Sequence, residues 1–383
     1  MDWLINIFYY LVPFLVLLGI LVFVHELGHF AIARLCGVKV EEFSIGFGRE
    51  IWGFNDKHGT RWKIAMIPLG GFVKMLGDAD ASSATAGEEA KELSEAEKKQ
   101  SFTFQPPSKK LAIAVAGPAA NYVFAILIFT GIFYFMGKMT FPPVIGEVVA
   151  GGAAEQAGMK VNDRVLKING KDVESFTDLQ REVDLITDGK AKLEIERDGK
   201  VLPLNLTLKE IEIDGADGKK VKKAMLGVRS VNVVEVQKED LSLWQALKNA
   251  SDEAWTVTES TLRGVGQMLT GRRNADDVGG VIRIAEMTGD ISKQHSLMSF
   301  LVFMALLSIN LGLINLFPIP VLDGGQVVIC LIEIITRREM NEKVKEYMFR
   351  LGLALILALL VFATWNDCLL YTSPSPRDLS TSR

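Results

Sequence analysis

The residues of this chain best suited to chemistry are His25-Glu26-Leu27-Gly28-His29. On a helix, a spacing of four residues turns the chain through about 400°, so both imidazoles leave one face, one turn apart. Two ring nitrogens so placed can hold one Zn²⁺, and Glu26 can take a proton from a water activated by the ion. A chance match on a soluble helix is the alternative. The setting argues against it: Ile5 to Val24 carries no charge and is long enough to cross a bilayer. Ionisable groups at membrane depth are costly unless they serve a function.

Catalytic zinc usually has three protein ligands and one open position. Asp323, in the stretch NLFPIPVLDGG from Asn315 to Gly325, is the third candidate. Pro318 and Pro320 forbid regular helix, and Gly324 and Gly325 follow, so a carboxylate can be swung back at a helix end. An Asp-Gly turn leaving the membrane is the competing reading.

Four segments read as membrane helices that position these groups: Ile5–Ala33, Leu111–Met136, Leu297–Leu316 and Tyr347–Trp365. The first has no basic n-region and runs straight into HELGH, so it reads as a retained helix and not a cleaved signal. Residues 34–110 are rich in Lys and Arg, and residues 337–345 hold Arg337, Arg338, Lys343 and Lys345. Both stretches are therefore expected in the cytoplasm, and residues 137–296 outside. Arg350 snorkels to the cytoplasmic interface in this reading.

Between these helices, Val40–Met75 alternates apolar and polar residues between glycines and reads as short strands or a hairpin tucked against the membrane. Residues 77–99 are rich in Ala, Ser and Glu and read as a loose exposed segment. Residues 138–236 read as an inserted α+β domain, with a tight turn at Asn169-Gly170 and a helix across 178–186. Residues 237–296 read as an amphipathic helical connector, with Leu243, Leu247, Ala250 and Ala254 in helical period and a break at 271–280. Residues 368–383, CLLYTSPSPRDLSTSR, fit no structural role and read as a non-native tail; a longer genomic read with the same residues in frame would overturn that.

The chain has 383 residues, is 49% apolar and carries a formal charge of −4. No basic block suggests a nucleic-acid partner. Its three cysteines, Cys36, Cys330 and Cys368, have neither disulfide nor metal spacing. His58 and His295 read as solvated loop histidines.

HELGH closing the first helix, GPAAN at Gly117–Asn121 in the second, GEVVAGGAAEQAGMKVNDRVLKINGKDVESFTDLQ with AMLGV in the inserted domain, and NLFPIPVLDGG together resemble the site-2 protease family. The likeness is greatest to its bacterial intramembrane zinc proteases and extends to about Asp367. It implies a polytopic α-helical membrane protein of four transmembrane helices, with a membrane-associated β-hairpin element (Gly46–Gly48 and Ile64–Val73) and an inserted PDZ domain. It implies Zn²⁺ on His25, His29 and Asp323, Glu26 as general base, and a substrate-handling role for Asn310, Asn315, Pro318 and Pro320. Near relatives carry two PDZ domains, whereas this chain shows one, so gating by a tandem pair does not carry over. Asn310, Asn315 and Asn121 have a plainer reading as interhelical hydrogen-bond partners.

The expectation is an intramembrane zinc endopeptidase of the bacterial inner membrane, with its active site towards the cytoplasm and its PDZ domain in the periplasm. Its partners are the lipid bilayer and single-span membrane proteins, such as an anti-sigma factor or a signal-peptide remnant. Two other classes remain: a catalytically silent PDZ-bearing membrane scaffold, and a zinc transporter. The second is disfavoured because the other helices lack acidic residues and histidines.

Overall fold

The computed structural model describes residues 2–77, 93–186, 189–214, 220–230, 237–270, 280–294 and 296–372. In chain order these form α1 (Asp2–Leu35), β1 (Val40–Asn55), β2 (Arg61–Met75), α2 (Glu95–Lys98) and α3 (Pro107–Met136). Next come β3 (Lys138–Thr140), β4 (Ile145–Val148), α4 (Ala153–Gln156), β5 (Arg164–Ile168), β6 (Lys171–Asp172) and α5 (Phe176–Asp184). Strands β7 (Lys190–Arg197), β8 (Lys200–Thr207), β9 (Lys209–Asp214), β10 (Lys220–Met225), β11 (Val228–Ser230) and β12 (Gln237–Glu239) follow. The rest is helical: α6 (Leu243–Leu269), α7 (Val281–Lys293), α8 (Leu297–Asn315), α9 (Asp323–Thr336) and α10 (Glu342–Thr372). Two compact units result; one holds residues 1–129, 250–258 and 279–364, the other 130–249, 259–278 and 365–383.

In the first unit, three helical stretches among the described residues are long and apolar enough to cross a membrane: Phe8–Leu35, Pro107–Met136 and Leu297–Asn315. Their outward side chains are apolar too, among them Phe8, Leu11, Val12 and Val16 on α1 and Val123 and Leu127 on α3. That is the pattern of a helix whose surroundings are as apolar as its core. The fourth expected span falls within α10.

Strands β1 and β2 form one long antiparallel hairpin, not several short strands. The register slips around Gly46 and Gly48, whose φ of 90° and 88° are cheap only for glycine, and the ribbon bends there. At its tip, Asp56 Oδ1 accepts the backbone N–H groups of His58 (2.8 Å) and Thr60 (3.0 Å). His58 is exposed there; His295 lies outside the described residues. The base of the hairpin is pinned to α1 and α3 by Phe43, Val73, Met75, Ala33 and Ile113, with the Phe43 ring stacked 4.2 Å from Trp62. Farther out, Ile51 (68% exposed), Trp52 (59%) and Met66 (62%) face outward. So much exposed apolar surface on one ribbon marks an interaction with another apolar phase.

The second unit is α+β. Strands β6-β5-β7-β8 form an antiparallel sheet, with β4 paired to β11 beside it. Asn169-Gly170 and Asp198-Gly199, all at positive φ, make the two-residue turns that join β5 to β6 and β7 to β8. Helix α5 is capped by Ser175 and Asp178 and buries Phe176, Leu179 and Val183 against Val165, Ile168, Leu193 and Ile195. The hairpin β9–β10 was not foreseen: its Lys/Glu alternation carries few apolar positions from which to read a strand. In α6 the buried residues are Ala246, Ala250, Ala254 and Thr258. Leu243, expected on that face, is exposed instead.

Of the loose segment, residues 78–92 lie outside the described residues and Glu95–Lys98 is a short capped helix. The break in the connector at 271–279 and the last residues, 373–383, also lie outside them. Cys368 belongs to α10.

Asp163 is fully buried at the start of β5 and accepts two hydrogen bonds from Arg197, at 2.7 and 2.6 Å. Burial alone would raise its pKa, but the Arg197 guanidinium and the Lys160 N–H outweigh it and hold the carboxyl below its ordinary value of 3.8. A depressed folded-state pKa stabilises the fold at pH above the unfolded value, and that stability is lost as pH falls through the folded one. Asp163→Ala is expected to destabilise the second unit near neutral pH, since it removes the buried acceptor of the Arg197 guanidinium and the Lys160 N–H. Limited proteolysis of the full chain over a pH series reads this: the wild type loses protection below about pH 4, and the variant is sensitive throughout.

Candidate metal centre

Three donors from two distant segments meet in the first unit. His25 and His29 lie on α1, and Asp323 is the first residue of α9. His25 Nε2 stands 3.1 Å from Asp323 Oδ2 and 3.3 Å from His29 Nε2; His29 Nε2 stands 3.4 Å from Asp323 Oδ1. Four tetrahedral ligands at 2.0–2.2 Å from zinc would stand about 3.3–3.6 Å apart. Asp323 Oδ2 is buried and makes no hydrogen bond. The Oδ2 atom itself is closed to solvent, although the three side chains line a cavity. A carboxylate whose two oxygens face two imidazole nitrogens, one oxygen buried with no donor of its own, fits a cation at their centre.

Helix α3 sets the two rings. His29 Nδ1 lies 2.8 Å from the Ile113 carbonyl, which therefore accepts Nδ1–H and leaves Nε2 as a lone pair. The His25 Nδ1 lies 3.1 Å from the Asn121 amide. This contact requires α1 and α3 to approach closely. A Cβ on Gly28 would collide with the Ala116 carbonyl, and one on Gly117 with the His29 ring.

Glu26 lines a cavity of about 430 Å³ together with the three donors, Asn315 and Gln326. The hairpin supplies another wall through Phe47, Gly70, Gly71 and Val73. Strand β2 passes so near Glu26 that a Cβ on Gly71 would stand 3.0 Å from Glu26 Cγ. Of the residues expected to handle substrate, Asn315 faces the site, its Nδ2 3.5 Å from His25 Nε2. Asn310, Pro318 and Pro320 do not line the cavity. Pro320 instead lies against α10 at Gly352.

Sequence reading gave Asn121 only the role of interhelical glue as its plainer alternative, and passed over the Ile113 carbonyl and Gln326. A clue to Asn121 existed in GPAAN, a polar residue in an apolar helix one turn after a proline. The Ile113 carbonyl left no trace, because any residue offers one.

A frame of apolar helices holding a His-Glu-x-x-His helix and a distant aspartate defines a membrane-integral metalloprotease. Comparison with known proteins narrows this further. The profile of Peptidase family M50 matches residues 13–359, and the chain belongs to that family, the site-2 proteases. It is 39% identical to an Agrobacterium fabrum protein named "Putative zinc metalloprotease", over 94% of this chain and 95% of that one. A Mesorhizobium japonicum protein of like name is 40% identical over 93% of this chain and 98% of its own length. The metalloprotease MmpA of Caulobacter vibrioides is 36% identical over 93% and 94%. The cofactor is zinc.

Asp323→Ala is expected to purify folded with far less zinc than wild type. Gly117→Ala, which pushes the His29 ring from its seat, should also lower zinc content while leaving every ligand in place. Metal analysis of the purified protein measures both; unchanged zinc in Asp323→Ala would remove it from the ligand set.

Proposed function

We propose that the protein is an intramembrane zinc endopeptidase that cleaves within or near the transmembrane segment of single-span membrane proteins. The observation that carries this is the cavity: zinc donors and Glu26 share it with a β-strand, inside a frame of apolar helices. A substrate helix locks its carbonyls in hydrogen bonds and must be extended before attack. A two-stranded sheet leaves each strand an outer edge, and β2 lies beside the base, so strand addition can hold the substrate open.

Bound zinc supplies a Lewis acid that polarises the scissile carbonyl and acidifies the attacking water. Glu26 takes the proton of that water and delivers it to the leaving amine. Asn315 offers its amide to the substrate backbone, and Pro318 and Pro320 keep the chain before Asp323 out of helix, which leaves room beside the donors.

Lys/Arg asymmetry supports a bacterial inner-membrane protein with four spans, α10 being the fourth, and the active site towards the cytoplasm. The second unit, read as a single PDZ domain, then lies in the periplasm and selects substrates by their outer part. Single-span proteins already trimmed outside suit such an enzyme, an anti-sigma factor or a signal-peptide remnant among them.

Glu26→Gln is expected to keep its zinc and to lose cleavage of a reconstituted single-span substrate by about 10²–10⁴-fold. Chelation should silence the wild type and zinc restore it. Full cleavage by Glu26→Gln would refute the assignment, and a protein with zinc but no cleavage of any trapped membrane fragment would favour the scaffold.

A further inference from the structure

Asn121 is fully buried on α3, with its side chain against the outer nitrogen of His25. Its backbone is held in turn: the Ser308 hydroxyl on α8 donates to the Asn121 carbonyl at 2.9 Å. As placed, the amide points Nδ2 at His25 Nδ1 (3.1 Å) and leaves Oδ1 buried without a partner. Amide O and N are interchangeable in shape, and the hydrogen-bond network decides between them.

The two orientations have different chemical consequences. With Nδ2 donating, Nδ1 is an acceptor, the ring proton sits on Nε2, and the nitrogen facing Asp323 cannot bind a cation. With the amide flipped, Oδ1 accepts Nδ1–H. That gives the amide oxygen a partner, moves the unpartnered position to Nδ2, and frees the Nε2 lone pair towards His29 and Asp323. The flipped state also matches His29, whose Nδ1 has a carbonyl acceptor at 2.8 Å.

We propose that Asn121 is a positioning residue of the metal centre: its amide oxygen holds His25 in the tautomer that binds zinc. The proposal rests on His25 being a ligand. It concerns the ligand's orientation, not the chemistry at the substrate. His29 receives the same service from a backbone carbonyl that substitution cannot remove, so Asn121 is where α3's control of the site can be tested.

The test is the zinc dissociation constant of the full-length protein in detergent, by competition with a chromogenic chelator, for wild type, Asn121→Ala, Asn121→Leu, Asn121→Asp and Ser308→Ala. Loss of an outer partner of a ligating histidine lowers metal affinity by about 10–100-fold. That loss is expected for Ala and Leu, Leu keeping the branched skeleton of Asn and so a guard against a collapsed core. Asp accepts the same N–H and is expected to stay near wild type. Ser308→Ala removes the neighbouring hydrogen bond but no acceptor for His25, and is expected to leave affinity unchanged. Wild-type affinity in Ala and Leu would overturn the proposal. So would equal losses in Asp or in Ser308→Ala, which would mean that packing alone matters. Absence of zinc binding by the wild type would instead overturn the ligand reading beneath it.

Discussion

The constraint on the first unit is a set of two imidazoles and a carboxylate drawn together from distant segments of the chain. Two imidazole nitrogens and a carboxylate oxygen stand 3.1–3.4 Å apart, with one buried oxygen left without a donor. Such a cluster in an apolar frame is costly to desolvate, and only a cation at its centre returns the cost. The fold's demand follows: the HELGH turn and the start of α9 must be brought together and kept dry except at one open side.

Helix α3 meets that demand by touching both rings. The Ile113 carbonyl takes one and Asn121 the other, and small residues let α1 come close enough for this. The hairpin then closes the remaining side without filling it. Its base is fixed by aromatic packing around Phe43, while Gly71 lets β2 run past Glu26. The result is a cavity of about 430 Å³ walled by an apolar bundle and a strand.

How much of this could be read beforehand depended on whether the cause was local. HELGH declared itself through helical period alone, and Asp323 through the prolines and glycines that surround it. The hairpin was legible because alternation and glycines are written in sequence, though its length was not. The turns at Asn169-Gly170 and Asp198-Gly199 followed from residues that accept positive φ. What stayed hidden was set by partners far along the chain. Asn121 meets His25 across 96 residues, and its role depends on where that ring points. Leu243 is exposed although its period placed it inward with Ala250 and Ala254, which are buried. Asn310 and Asn315 sit on one helix, yet only Asn315 reaches the cavity, since five residues carry the chain well past one full turn.

The central claim is that α1 and α9 together build one zinc site with an open position. Zinc X-ray absorption on the purified wild-type protein tests it most directly. The account predicts two imidazole nitrogens and oxygen donors at about 2.0–2.2 Å and no sulfur. A thiolate at about 2.3 Å, or a first shell without histidine, would contradict it.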